Sequence, residues 1–457
     1  MSESLPAVDE PLAARRSLPQ QAADLVRPLA GTLTSPTARQ GMLSIVDQAV
    51  VSAASFLTTV IVARATSRED LGIYYLALTL VLFARGIQAQ LVFAPYVVYC
   101  HRREGNESAE YAGSVLVHQL ILSAMAVVCL AALAGVLWLG IGPPALAPAI
   151  WVLLGALPLL QLREFYRSYS LCHLKVGVAV AVDATTAALQ VGVLLVLWRF
   201  RLLSVASAYA MMGGAAAIVC LEWFACRRGR WRIQPARIAA DWINNWSFAR
   251  WALASFLIGC VSPYVMPWIL AAVHGEASAG LLGACGTLAG IANMFVMGLG
   301  NFVSPKAARA FADKGRPALC RVLGTAAAVF GVVVGGLCLF SLFAGEWLVV
   351  FVYGRQFAGG GPVLAAYVAS VLAISIGMVA GNGLWAIDRP KAALVPDLCA
   401  LAVTLATAAL LVGPLGALGV ALAVLAGAAT GAVMKSFVLF GLIRSLPIAP
   451  TVEAPHP

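Results

Sequence analysis

Residues 46–103 read VDQAVVSAASFLTTVIVARATSREDLGIYYLALTLVLFARGIQAQLVFAPYVVYCHRR. Two apolar runs stand on either side of a short polar break at 64–70, and the second closes on Pro95 and the pair Arg102 and Arg103. A helix needs about twenty apolar residues to cross the hydrocarbon core of a bilayer, and each run supplies that length. Strands of a membrane barrel would alternate apolar and polar residues over segments of about ten. These runs are apolar on every side. One ionised side chain, Arg85, lies deep inside the second run.

The same pattern continues to the C-terminus. Apolar runs fall at 42–63, 71–98, 113–139, 145–162, 176–198, 202–225, 248–273, 279–303, 322–343, 363–387, 392–412 and 415–442, which predicts an all-α polytopic membrane protein of twelve spans. The apolar stretch 346–352 is too short to span and reads as part of a loop. Composition agrees. Hydrophobic residues make up 61% of the 457 residues and charged residues 11%, against about 25% charged in soluble domains. Mean hydropathy is +0.90. The ten cysteines show no CxxC or Cys/His ligand spacing, so they read as small packing residues, with no metal site and no disulfide framework. The first forty residues lack the apolar core of a signal peptide and read as a disordered cytoplasmic tail.

Basic residues give the orientation. The connections facing one side, with both tails, hold 24 of the 30 Lys and Arg; the other side holds Arg64, Arg68, Arg199, Arg201 and Arg355. Loops rich in Lys and Arg stay in the cytoplasm. The bias places both termini there, and a lost or added span would invert it. The net charge of +10 therefore marks membrane orientation, and no nucleic-acid partner is expected.

The longest basic connection divides the chain into an N-lobe at 41–232, an interfacial linker helix at 233–247, a C-lobe at 248–443 and a tail at 444–457. The lobes repeat weakly. Gly72 and Thr79 recur as Gly280 and Thr287, and Pro95 and Gly105 recur as Pro305 and Gly315, each pair at one constant offset. Six spans per repeat is an even number, so the lobes share one orientation. Transporters use such parallel repeats for rocking about a central site.

Ionisable groups within spans are costly and mark functional candidates. Arg85 reads as a site for a diphosphate or acidic sugar, or as half of an internal ion pair. Asp47 and Asp183 could each pair with Arg85 or take up a proton or cation. Amides at Gln88, Asn293 and Asn382 could line a sugar path or join helices. Arg163, Glu164 and Arg167 sit where the fourth span meets the cytoplasm, placed for a lipid headgroup or for interfacial anchoring. Asp397 reads as the C-lobe counterpart of Asp183. No phosphate loop of the form GxxxxGK[ST] occurs, so nothing points to ATP as a direct drive. No catalytic residues and no cofactor are expected; coupling to a proton or sodium gradient is.

Five stretches carry a family resemblance. VDQAVVSAASFLTTVIVARATSREDLGIYYLALTL at 46–80, LREFYRSYSLCHLKVGVAVAVD at 162–183, and VYGRQFAGGGPVLAAY, LWAIDRPK and PLGALGVALAVLAG between 352 and 427 resemble the multidrug/oligosaccharidyl-lipid/polysaccharide (MOP) exporter superfamily, in particular its polysaccharide-unit flippases. The resemblance implies two six-helix lobes in a V, set in a bacterial inner membrane. It implies alternating access that turns an undecaprenyl-diphosphate-linked oligosaccharide from the inner to the outer leaflet. The implied partners are the lipid-linked anionic glycan, membrane lipids, and polysaccharide polymerase and chain-length proteins. A cation-coupled multidrug exporter shares the plan and is the alternative. A membrane-embedded polysaccharide polymerase or ligase is the alternative of another class; the short outer loops, whose acids are Glu69, Asp70, Glu276 and Glu346, argue against any enzyme. A reporter fused after Trp198 should read extracytoplasmic, and a cytoplasmic readout there would overturn the topology.

Overall fold

Backbone amides within a bilayer must be paired inside their own segment, so apolar runs of this length fold as helices. The computed structural model describes residues 36–226 and 231–445; of the expected tails, 1–35 and 446–457 lie outside the described residues. The helices are α1 (Pro36–Ala65), α2 (Arg68–Arg102), α3 (Gly105–Trp138), α4 (Ala147–Cys172), α5 (Val176–Arg199) and α6 (Val205–Cys226) in the N-lobe. In the C-lobe, α7 is a bent pair, Pro235–Gly259 and Val261–His274, and α10 (Gly361–Ala386), α11 (Leu394–Leu415) and α12 (Ala417–Ser445) close the chain.

Between α7 and α10 lies one helical stretch of 78 residues, Glu276–Tyr353. At 1.5 Å per residue it would reach about 117 Å, against a hydrocarbon core of about 30 Å. Gly315 breaks it with φ 67° and ψ −156°, a conformation that a side chain disfavours. The break gives α8 (276–314) and α9 (316–353). Ten helices and the bent pair pass as spans; with this division the described residues cross twelve times, as the sequence predicts. Residues 346–352, read from sequence as loop, are the last turns of α9. There the Glu346 carboxylate accepts from the backbone amides of Gly359 (2.7 Å) and Gly361 (2.8 Å), satisfying free donors at the start of α10. A window test stops at Glu346 because it cannot see that the charge is spent.

The lobes repeat in backbone detail. Gly105 and Gly315 both open the third helix of their lobe with positive φ (56° and 67°). Leu174 after α4 and Asp388 after α10 are both left-handed (56° and 55°). The helices α2 and α8 cross where the matched glycines meet. A β-carbon on Gly72 would collide with the carbonyl oxygen of Glu276, and one on Gly280 with that of Arg68. Each glycine faces the residue four before its counterpart, the reciprocity expected of a two-fold axis.

Around this crossing the lobes are bonded together. Arg64 donates to the carbonyl oxygens of Val352 (2.7 Å) and Phe351, and Arg68 to that of Ala277 (3.0 Å). Gln356 donates to those of Ala63 (2.7 Å) and Thr66 (3.2 Å). All these contacts lie at the end opposite the basic connections.

Residues 235–247, expected as a separate interfacial linker, continue without a break into the span as the first turns of α7. They rest on the N-lobe. Arg103 pairs with Asp241 (3.0 Å), the Tyr111 hydroxyl donates to Asn245 Oδ1 (2.8 Å), and Arg237 bonds Glu107 and Glu110 (2.9 Å each). Trp242, Trp246 and Trp251 stay partly or largely exposed, as interfacial anchors do. A 53° bend follows, with Pro263 inside a widened turn at Val261–Val265, since proline withholds one amide from the helical ladder.

The glycine crossing generates a prediction. Gly72→Val should force the lobes apart at this end, lengthening the distance between spin labels at Thr66 and Gln356 by several ångströms in pulsed EPR. An unchanged distance would show that the crossing does not set the closure.

Candidate functional site

Two features occupy the middle of the molecule. The first is a charge network inside the N-lobe. Arg85 stands at the midpoint of α2, about 25 Å from either end at 1.5 Å per residue. Its guanidinium pairs with Glu164 on α4 at 2.5 Å. Arg163 and Arg167, on the same face of α4, both bond Asp183 on α5. Arg167 also reaches Asp47 on α1 at 2.6 Å and Glu164 at 3.5 Å. Three guanidinium groups thus meet three carboxylates. The three carboxylates are buried, while the Arg85 side chain keeps 35% exposure.

Charges in a low-dielectric lobe persist only when paired and hydrogen-bonded. That requirement explains the helix boundary. From sequence the fourth span ends near Leu162, which puts Arg163, Glu164 and Arg167 at the membrane surface. In the structure α4 runs on to Cys172, and the three lie in the lobe interior with their charges matched by α1, α2 and α5. The partner of Arg85 is Glu164, while Asp47 and Asp183 serve the α4 arginines. The spacing 163, 164, 167 was the available signal, since it sets all three on one helical face. Gln88, one turn beyond Arg85, is fully buried and donates to the carbonyl of Gln161 at 2.8 Å.

The second feature is a cavity of 880 Å³ between the lobes. The N-lobe contributes Ser52, Ser55 and Phe56 on α1 and Tyr75, Leu78 and Leu82 on α2. The C-lobe contributes α7 at its bend (Ser255, Ser262, Pro263), α8 (Thr287, Asn293), α10 (Tyr367, Ser370), α11 (Asp397, Thr404) and α12 (Gly427). The glycine crossing and the Arg64, Arg68 and Gln356 bonds close the molecule at one end. The wall reaches Leu394 and Asp397 in the first turn of α11, beside Arg389 and Lys391 at the other end.

Hydroxyl groups are spaced along a wall that is otherwise mostly apolar, with Phe56, Leu78, Leu82, Ile291 and Leu401 on it. Thr287, Ser370 and Thr404 each donate to a carbonyl one turn back in their own helix (2.8, 2.7 and 2.9 Å). Their oxygens keep lone pairs for an incoming hydroxyl or amide donor. Among the described residues no lysine or arginine lines the cavity, and Asp397 is the charged group on its wall. The sequence-derived candidates therefore separate. Asn293 lines the cavity, Arg85, Asp47, Asp183, Arg163, Glu164 and Arg167 form the N-lobe network, and Gln88 adjoins it. Asn382 lies on α10 away from the cavity lining, with a buried, unpartnered Nδ2. Sequence reading missed the cavity tyrosines Tyr75 and Tyr367 and the partner of Asp397, Lys435 on α12 at 2.6 Å. Aromatic residues in apolar runs carry no mark that tells cavity from core.

Two six-helix lobes, related by a two-fold repeat, closed on each other at one end and parted around a cavity, make this a multi-pass membrane protein. Solved structures with the same fold come from the MOP superfamily. The inward-facing conformation of a multidrug resistance MATE family transporter matches with a TM-score of 0.67 at 12% identity, covering 88% of this chain and 98% of that one. The lipid II flippase MurJ in an inward closed conformation matches with 0.69 at 13% identity, over 90% and 88% of the two chains. A point mutant of the Vibrio cholerae MATE transporter VcmN matches with 0.59 at 17% identity, over 91% and 99%. No family model matches the sequence, and no curated protein does. The chain shares the fold of these structures, as its resembling stretches imply.

Asp183→Asn should lower thermal stability in detergent by about 3–5 kcal/mol, because it removes a carboxylate that both α4 guanidinium groups share in the lobe interior. Arg85→Gln should destabilise alone, and adding Glu164→Gln should recover much of the loss. Additive losses in the double variant would mean that the two side chains are not coupled.

Proposed function

We propose that this chain is an alternating-access transporter that turns a lipid-linked oligosaccharide from the inner to the outer leaflet. The observation that supports it most is the cavity between the lobes, sealed at one end, whose mostly apolar wall is set with hydroxyl groups from both lobes and the Asn293 amide. Oligosaccharides present many hydroxyl donors, and the serine and threonine oxygens that line this wall are free to accept them. With the basic end in the cytoplasm, where the loop charges place it, the cavity faces the inner leaflet. In this reading the closure around Gly72 and Gly280 is the outer gate.

The N-lobe network serves mainly to hold the lobe together, and Arg85, with a third of its side chain exposed, presents the one guanidinium edge that a passing anion could approach. Coupling to a proton or sodium gradient belongs to the same reading. Asp47 offers one carboxylate oxygen to Arg167 while the other is buried without a partner, which makes it the network carboxylate with an acceptor to spare. Polysaccharide polymerase and chain-length proteins would take up the product in the outer leaflet.

A second reading, a cation-coupled exporter of small molecules, is favoured by one observation: the charged group on the wall is a carboxylate, Asp397. One substitution separates the two. Gly290 lines the cavity with open space beside it, so Gly290→Trp should fill the cavity without disturbing the fold. In the flippase reading it abolishes surface polysaccharide and leaves the lipid-linked unit on the inner leaflet, as does dissipating the ion gradient. Intact polysaccharide together with lost resistance to cationic drugs would favour the exporter.

A further inference from the structure

Lys435 is the one ionised side chain between the start of α12 and Arg444, and Asp397 is the one on α11. Small residues bring them together. The two helices run antiparallel, and Gly427 faces Thr404 while Gly431 faces Ala400, in contacts too close for an added β-carbon to fit without displacing its neighbour. The next step along the same seam matches Lys435 with Asp397, Nζ to Oδ1 at 2.6 Å. The pair sits where α11 leaves the basic connection, at the end of the cavity that the lobes leave unsealed.

This pair differs from the N-lobe network in what it would take to part it. Each arginine of α4 has two or more carboxylate contacts, and those carboxylates are buried. Lys435 has a single carboxylate partner, and that carboxylate is 47% exposed. Losing the ammonium leaves Asp397 in contact with water, so the exchange does not strand a buried charge.

We propose that Lys435 is a capture site for the phosphate of an anionic headgroup at the mouth of the cavity, with Asp397 as the group it leaves to bind. The proposal rests on the transport reading and names the residue that first meets the cargo. An ammonium on a four-carbon stem presents three donors and can swing between acceptors, and a diphosphate offers it several charged oxygens at once where Asp397 offers two. Asp397 remains close enough to repel the anion. The repulsion keeps the capture weak, as a carrier that must release its cargo requires. No bond is made or broken; the ammonium changes one oxygen partner for another.

The full-length protein, purified in detergent, is titrated with farnesyl diphosphate and with inorganic pyrophosphate, and binding is read by calorimetry. Lys435→Met should weaken farnesyl diphosphate binding at least tenfold, Lys435→Arg should keep it, and Asp397→Asn should tighten it severalfold by removing the competitor. A structural staple would behave differently: Asp397→Asn and Lys435→Met would then weaken binding alike and lower the melting temperature together, which overturns the proposal. Unchanged affinity in Lys435→Met, or no binding of either probe by the parent protein, overturns it too. Binding of farnesyl diphosphate alone assigns the site to a lipid headgroup, and equal binding of pyrophosphate assigns it to the phosphate itself. Should Gly290→Trp leave surface polysaccharide intact while Lys435→Met still loses the diphosphate, the transport reading falls and the capture site stands.

Discussion

The close crossing of α2 and α8 governs the rest of the molecule. Two helix backbones touch at Gly72 and Gly280 with no side chain between them. Helices usually pack 8–10 Å apart, at a distance set by the side chains at the contact; here there is nothing to hold them off. Because each glycine meets the residue four positions before its counterpart, the contact lies on the axis that relates the lobes. Tyr75, one turn further along α2, lays its ring against Gly283 of α8 with its hydroxyl near Gly286, and together with Thr287 it lines the cavity. Small residues at helix contacts in membranes commonly permit such approach, and the repeat provides one from each lobe.

The lobes handle charge in different ways. The N-lobe buries a matched set of three arginines and three acids across four helices, so the cross-links hold α1, α2, α4 and α5 as a unit. At the cavity rim the C-lobe has one pair, Lys435 with Asp397. In the N-lobe network the loss of a member leaves its neighbours with one contact fewer inside the lobe, whereas the Asp397 carboxylate is already half in water.

Much of this architecture is legible in the sequence because the bilayer imposes it. Span number and the repeat follow from run lengths, loop charges and the recurring Gly and Pro positions, and the positive-φ glycines 105 and 315 fall where the repeat puts them. Helix ends are harder to read. Apolar windows stop at Leu162 and treat 346–352 as loop, because a window scores Arg163, Glu164 and Glu346 as solvent-seeking when Asp183, Arg85 and the α10 amides have already satisfied them. Residues 235–247 look interfacial by composition and are so at their tryptophans, yet no sequence signal says that the helix continues into span seven. Site roles are harder still. Asp47 and Asp183 are rightly marked as ionised groups within spans, but which arginine each one meets depends on helix rotation, and Tyr75 and Tyr367 look like any core aromatics.

The bonds that close the end opposite the basic connections have one further property. Gln356, just past the end of α9, donates to carbonyls at the end of α1, and Arg64, in the last turn of α1, donates to carbonyls in the last turn of α9. Carbonyls in a final turn have no partner within their own helix, so each lobe finishes the helix of the other. On separation, water can take up every one of these donors and acceptors, and a hydrogen bond exchanged for hydration changes stability by only about 0.5–1.5 kcal/mol. The seal is built from bonds that solvent can replace one for one, over a glycine contact with no interlocked side chains to withdraw. Such a closure holds its shape while closed and asks for little energy to part.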